Sequence, residues 1–306
     1  MPKNRIISLI ASSTETVCAL GFEEDLVGRS HECDYPPFVH NLPPCSEPKF
    51  DIEGTSEDID QRVLDTLQNA LSVYRVHADV LEELQPTHII TQDHCEVCAV
   101  SLKDVEEATC QLVSSKPSIV SLAPNALDDI YAGIQEIATA LGDIEAGQSL
   151  VSQMKDRLSA VEESVSNAQE VPSVVCVEWI NPLMAAGNWV PELVQIAKGN
   201  DLLGIARAHT PRIPLSKLVE ADPDKIIVMP CGWDIEKSRS EMERALADPD
   251  WQALRAVRSG ELYLTDGNQY FNRPGPRLVE SAEILAEILH PELASFGHEG
   301  SGWVKY

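Results

Sequence analysis

Short apolar runs recur along this chain, and each gives way to a cluster of polar, sulfur or aromatic residues. Ile6-Ile7-Ser8-Leu9 leads into Ser12-Ser13-Thr14, and Leu26-Val27-Gly28 leads into His31-Glu32-Cys33-Asp34-Tyr35. Ile89-Ile90 leads into Gln92-Asp93-His94-Cys95-Glu96-Val97-Cys98. In the second half Val174-Val175-Cys176-Val177 leads into Glu178-Trp179, and Ile226-Ile227-Val228-Met229 into Cys231-Gly232-Trp233. Leu262-Tyr263-Leu264 leads into Asn268-Gln269-Tyr270-Phe271. Runs of this length predict buried strands at 5–9, 26–30, 88–92, 118–122, 174–178, 225–229 and 261–265.

Between the strands, apolar residues recur at helical spacing. They predict helices at 14–20, 58–71, 78–84, 102–113 (capped by Ser101), 126–141 and 144–165. In the second half the predicted helices are 190–196, 215–221, 240–246, 251–256 and 275–289, the last with Pro276 in its first turn. Residues 33–55 are rich in proline and read as a long irregular segment, a length that is usually functional or mobile. Strand alternating with helix predicts an α/β fold with mainly parallel sheets in two lobes. The expected divisions are 1–124, a connecting helical stretch 125–169, and 170–306. The long helix at 144–165 reads either as a spacer between the lobes or as a helix packed on one of them. Ligands of open parallel sheets bind beyond the carboxyl ends of the strands, so the polar clusters predict a crevice built from both halves.

Length and composition sharpen this. A chain of 306 residues, 43% hydrophobic, is long enough for two lobes with full cores. The formal net charge of −26 repels phosphate backbones and anionic bilayers, which argues against nucleic-acid binding and membrane docking. No apolar stretch is long enough to cross a bilayer, so no membrane insertion is expected. Ser8, Ser12, Ser13, Thr14, Glu15 and Thr16 interrupt the N-terminal stretch where a secretory signal needs apolar residues, and the expected location is cytoplasmic. Eight irregularly spaced cysteines fit reduced thiols in that compartment. The expected state is a monomer.

Candidate chemistry gathers at the strand ends. Cys95 and Cys98 form a Cys-x-x-Cys beside His94, a spacing that serves zinc, an iron–sulfur centre or thiol exchange. A metal would need further ligands, and His31, Cys33 and Cys231 are the candidates. Thiols that simply line a pocket are the other reading. His31 with Glu32 could act as acid and base. The chain has no Gly-x-Ser-x-Gly elbow and no glycine-rich phosphate loop, so the usual hydrolase and nucleotide signatures are missing. Tyr35, Trp179, Trp189, Trp233, Tyr270 and Phe271 could wall a large flat ligand, although some of them are expected to be core anchors. Arg273, in Asn272-Arg273-Pro274-Gly275-Pro276-Arg277, could hold a carboxylate or phosphate at the start of the last helix, or serve a structural ion pair.

Six segments carry a family resemblance. Residues 5–9 followed by Ser13-Thr14-Glu15-Thr16-Val17-Cys18-Ala19-Leu20-Gly21 and Asp25-Leu26-Val27-Gly28 resemble the opening of the class III solute-binding proteins. Leu84-Gln85-Pro86-Thr87-His88-Ile89-Ile90 and Glu220-Ala221-Asp222-Pro223-Asp224-Lys225-Ile226-Ile227 resemble the strand-entry segments of their two lobes. His31-Glu32-Cys33-Asp34-Tyr35-Pro36, Trp189-Val190-Pro191-Glu192-Leu193 and Arg273-Pro274-Gly275-Pro276 are similar to the cobalamin-binding-protein-like branch. The resemblance covers nearly the whole chain. It implies two α/β lobes joined by a long helix, a cleft between them, and binding rather than catalysis, as in ABC import systems for cobalamin, siderophores and haem. The expected function is to bind cobalamin, another corrinoid or a similar metal chelate as a cytoplasmic carrier or buffer. A metal- or thiol-dependent enzyme, with zinc or iron at the Cys/His cluster, is the alternative. The expected ligand-binding set is His31, Glu32, Cys33, Tyr35, Gln92, Asp93, Cys95, Cys98, Glu178, Trp179, Asn188, Trp189, Cys231, Trp233, Asn268, Tyr270, Phe271 and Arg273.

Overall fold

Two sheets carry the apolar runs. The computed structural model describes residues 4–68, 73–93, 102–112, 114–209 and 211–306. By its internal contacts the chain divides into two units. The first comprises Met1–Gly54, Asp58–Pro124 and Asp128–Ser152; the second comprises Thr55–Glu57, Asn125–Leu127 and Gln153–Tyr306. The division at Ser152 falls inside the helix Ile144–Ser164.

In the first unit the strand order is Leu26–Arg29, Ile6–Ser8, His88–Gln92, Ser118–Leu122, all parallel. Ile6, Ile7, Ile89 and Ile90 are wholly buried, as befits strands covered on both faces. Ile7, Leu9 and Ile89 pack with Leu81 from the helix Ala78–Leu84, Val63 from Ser56–Gln68 and Val105 from Leu102–Leu112. Each apolar run is thus continued into a helix face at helical spacing. The proline-rich stretch is more ordered than expected. It holds a short 3-10 turn, Pro37–Asn41, and a strand, Ser46–Pro48, which pairs antiparallel with Tyr74–Val76.

In the second unit the order is Asn200–Asp201, Ser173–Trp179, Lys225–Val228, Leu262–Thr265, Trp303–Lys305. The first four are parallel; Trp303–Lys305 closes one edge antiparallel, and Met184–Ala185 adds antiparallel to Ser173–Trp179. The last helix, Leu278–Leu289, is buried along nearly its whole length. It starts three residues later than expected, so Pro276 precedes it, and Arg273 lies in the loop rather than at a helix start. A single glycine sets the loop that follows Leu262–Thr265: a Cβ on Gly267 would lie 2.2 Å from the Pro230 carbonyl oxygen. The loop can pass close to the neighbouring strand end only because residue 267 has no side chain.

Candidate functional site at the strand ends

In the first unit, Leu26–Arg29 delivers His31 and Glu32 to the strand end. The His31 ring lies 5.2 Å from that of Tyr74, and its Nδ1 is 3.0 Å from Ser46 Oγ. The Tyr74 hydroxyl donates to Glu32 Oε1 at 3.4 Å, which in turn lies 3.9 Å from His31 Nε2. The sequence reading missed Tyr74; the alternating Val73-Tyr74-Arg75-Val76 was the signal that could have found the strand. Burial, reinforced by the Arg29 charge, pushes the His31 pKa down to about 4, against the opposing pull of Glu47. The ring is therefore neutral at pH 7 and keeps one nitrogen able to accept.

That shift has a thermodynamic sign. The unfolded chain takes up the proton near pH 6.5 and the folded one only near 4, so stability is full above pH 6.5 and falls as pH drops from 6.5 toward 4. Thermal melts across this range are expected to show a shallower decline in His31→Asn than in the parent protein. Parallel curves would show that His31 does not carry the effect.

Cys33 sits beside this group but faces inward. It is 1% exposed, accepts from the Thr14 hydroxyl at 3.0 Å, and burial raises its thiol to about 11. Burial likewise pushes Cys45 and Cys18 up to about 12. Cys33 is thus corrected from a ligand-lining or metal-binding thiol to a core thiol. Tyr35 is exposed, Gln92 is buried, and the Asp93 side chain is exposed. His94, Cys95 and Cys98 lie outside the described residues. Among the described residues no group of three or more His, Cys, Asp and Glu side chains is arranged to hold a metal ion. Cys33 belongs to the first unit and Cys231 to the second.

The second unit links Glu178, Cys231, Asn268 and Arg273 to two neighbouring indoles. Trp179 and Trp233 lie 5.0 Å apart, ring centre to ring centre, tilted by 51°. Trp233 is the buried layer, 4% exposed, with the Lys237 ammonium 4.9 Å from its ring; Trp179 is the half-open layer. The Cys231 amide donates to the Glu178 carbonyl at 3.4 Å, which joins two strand ends. The Asn268 amide donates to the Trp233 carbonyl at 3.1 Å, and Asn268 Oδ1 accepts from Arg273 at 3.0 Å. Asn188 is buried, with its backbone held in the left-handed region at φ 52°. Tyr270 is half-buried, packed edge-on to His298 with the Arg277 guanidinium over its ring.

Three predicted aromatics are buried instead: Trp233, which backs Trp179, and the pair Trp189 and Phe271. Phe271 is 0% exposed and Trp189 is 5% exposed, and the Trp189 Nε1 donates to the Phe271 carbonyl at 2.7 Å. Their indole and ring are consumed in packing, so neither walls a ligand. Arg273 is also buried and is held by Asn268, which makes it part of the loop's internal bonding. Of the six predicted aromatics, Trp179 and Tyr270 in the second unit and Tyr35 in the first keep open surface.

Open parallel sheets bind their ligands beyond the carboxyl ends of the strands, where these polar groups lie, and the family model shows which family this is. The chain belongs to the periplasmic binding protein family, whose model matches residues 6–269, and it is a class III solute-binding protein that takes a small-molecule ligand. It is 21% identical over 300 residues to an uncharacterized ABC transporter substrate-binding lipoprotein of Bacillus subtilis, YvrC, a match covering 94% of this chain and 80% of that one. Its fold is similar to that of a periplasmic haem-binding protein from Pseudomonas aeruginosa, with TM-score 0.72, 18% identity, and 96% and 95% of the two chains covered. It is also similar to the periplasmic vitamin B12-binding protein BtuF of Vibrio cholerae, with TM-score 0.66, 19% identity, and 94% and 97% covered. Among the described residues no helix is long and apolar enough to cross a membrane.

Proposed function

We propose that this protein binds a flat metal chelate of the corrinoid class, cobalamin or a close relative, and acts as a carrier or buffer for it. The observation that carries this reading is the half-open Trp179 indole backed by the buried Trp233 at a parallel strand end. A half-open indole packed against a second, buried one offers an apolar aromatic surface, which suits a macrocycle better than a small polar solute. Two similar folds, one a haem-binding and one a vitamin B12-binding protein, support the chelate class. Charge favours the corrinoid of the two. Haem carries two propionates, and a chain of net charge −26 repels an anionic ligand more than a neutral or cationic one.

The enzyme alternative draws no support from four of the five described free cysteines. Nucleophilic thiols need a lowered pKa, and burial raises those of Cys18, Cys33, Cys45 and Cys176. A cytoplasmic setting is part of the same proposal, since eight cysteines at irregular spacing form no evident disulfide framework in the sequence. Fractionation of the native host tests that placement.

Titration with cyanocobalamin, cobinamide and haemin, followed by calorimetry and by the visible bands of each chelate, tests the function. A corrinoid is expected to bind, and Trp179→Ala is expected to weaken it by about 10-fold or more, as for a central aromatic contact. Silence with all three chelates removes the proposal. Binding of haemin alone replaces the corrinoid with an iron porphyrin.

A further inference from the structure

Trp179 does not stand alone. Its Nε1 donates to the Ser56 carbonyl at 3.2 Å, across 123 residues of sequence. Ser56 is 0% exposed, and every polar group it has is engaged within the second unit. Its hydroxyl donates to Glu241 Oε1 in a short hydrogen bond, and its amide donates to the same oxygen at 3.1 Å. The Ser56 hydroxyl also accepts from the Asn181 amide at 3.1 Å, and Asn181 Nδ2 donates to Glu57 at 3.2 Å. Glu241 is 7% exposed and its other oxygen pairs with Arg244 at 3.1 Å. One buried carboxylate therefore grips both donors of one serine, and that serine's carbonyl accepts from the Trp179 indole nitrogen.

We infer that Ser56 and Glu241 are positioning residues for Trp179: the carboxylate fixes the serine, and the serine carbonyl fixes the indole against Trp233. The inference rests on the proposed ligand-binding role of Trp179 for its functional meaning, but its structural half stands on the distances alone. The physical reason is degeneracy. A half-exposed tryptophan on a strand end has several rotamers open to it, and a ligand would have to select one at an entropic cost. A hydrogen bond from Nε1 to a rigid carbonyl removes that freedom before the ligand arrives. The rigidity comes from the carboxylate, because a charged acceptor holds its donors more strongly than a neutral one. Both act at the nitrogen edge of the indole, through the Ser56 carbonyl, so their effect passes through the indole's orientation.

The experiment reads the indole pair directly. Two indoles 5.0 Å apart and tilted by 51° couple, so they contribute a paired circular-dichroism signal. That contribution is defined as the part lost in Trp179→Phe. Glu241→Ala is expected to lose most of it, and Glu241→Gln, whose amide oxygen can still accept from Ser56, is expected to keep most of it. Affinity for cyanocobalamin is expected to fall about 10-fold in Glu241→Ala and to recover in Glu241→Gln. A folded Glu241→Ala that retains the full paired signal overturns the inference. If Glu241→Ala does not fold, Ser56→Ala carries the same readout, and an unchanged signal there overturns it equally. Loss of the paired signal with unchanged cyanocobalamin affinity would confirm the positioning and remove Trp179 from the ligand face, so the two ideas fail separately.

Discussion

Phe271→Ala is expected to destabilise the second unit by about 3–5 kcal/mol, the usual cost of truncating a fully buried aromatic ring. At roughly 2–4 °C per kcal/mol for a unit of this size, the melting temperature should fall by about 10 °C. The ring is 0% exposed, and both backbone polar groups of the residue are committed. Its amide donates to Ser281 Oγ at 2.9 Å, and its carbonyl accepts from Trp189. The backbone sits in the left-handed region at φ 63°, a conformation a bulky residue adopts only when its surroundings hold it there. Alanine keeps that backbone demand but gives up the packing that sustains it. Trp189→Phe is the companion measurement: it retains an aromatic ring but leaves the Phe271 carbonyl without its donor, at about 1–3 kcal/mol. A Phe271→Ala melt within about 3 °C of the parent would return Phe271 to the open wall that its sequence position suggests.

Glu287→Ala is expected to release the C-terminal segment that follows the last helix. Glu287 is 5% exposed and accepts from four donors. Oε1 takes the amides of Phe296, Gly297 and His298, the second at 2.6 Å and the third at 3.3 Å, and Oε2 takes the Trp303 indole at 2.7 Å. Each donor stranded in the interior costs about 1–3 kcal/mol, so the loop and the Trp303–Lys305 edge strand will open to water rather than stay closed. A total loss of about 4 kcal/mol is the expected scale. Hydrogen exchange should show the amides of residues 296–298 and 303–306 losing protection together, while those of Lys225–Val228 keep theirs. Protection that persists in the C-terminal segment would mean that the apolar burial of Trp303 holds it without the carboxylate. Glu287→Gln, which preserves one good acceptor, should lie between the two.

The local parts of this fold were legible before any coordinates. Helices Ala78–Leu84, Val190–Ile196 and Leu215–Ala221 and strands His88–Gln92 and Ser118–Leu122 have the predicted bounds. Apolar period and stop residues are written within a few positions of where they act, so they survive without knowledge of the rest. The helix Ile235–Ala245 shows the limit. It begins five residues earlier than expected because the Asp234 side chain caps it, accepting from the Lys237 amide at 2.8 Å, while its first turns carry almost no apolar face. The short strands Met184–Ala185, Asn200–Asp201 and Trp303–Lys305 were also missed, since two or three residues are too few to show a period.

The candidate site divides the same way. That polar and aromatic residues cluster where strands end could be read from order alone, and so could the family, because the segments that carry it are contiguous. Which aromatic faces solvent and which is packed could not be read. Trp179, Trp189, Trp233 and Phe271 look alike in sequence; only the three-dimensional packing leaves Trp179 half open and seals Phe271. The grip of Glu241 on Ser56 spans 185 residues, and the contact of Tyr74 with Glu32 spans 42. Hydrogen bonds of that reach depend on strand order and chain crossings, which no local pattern encodes. Sequence by itself determined the elements, the alternation that makes parallel sheets, and the family; tertiary structure decided burial and partnership, because both are properties of distance in space rather than distance along the chain.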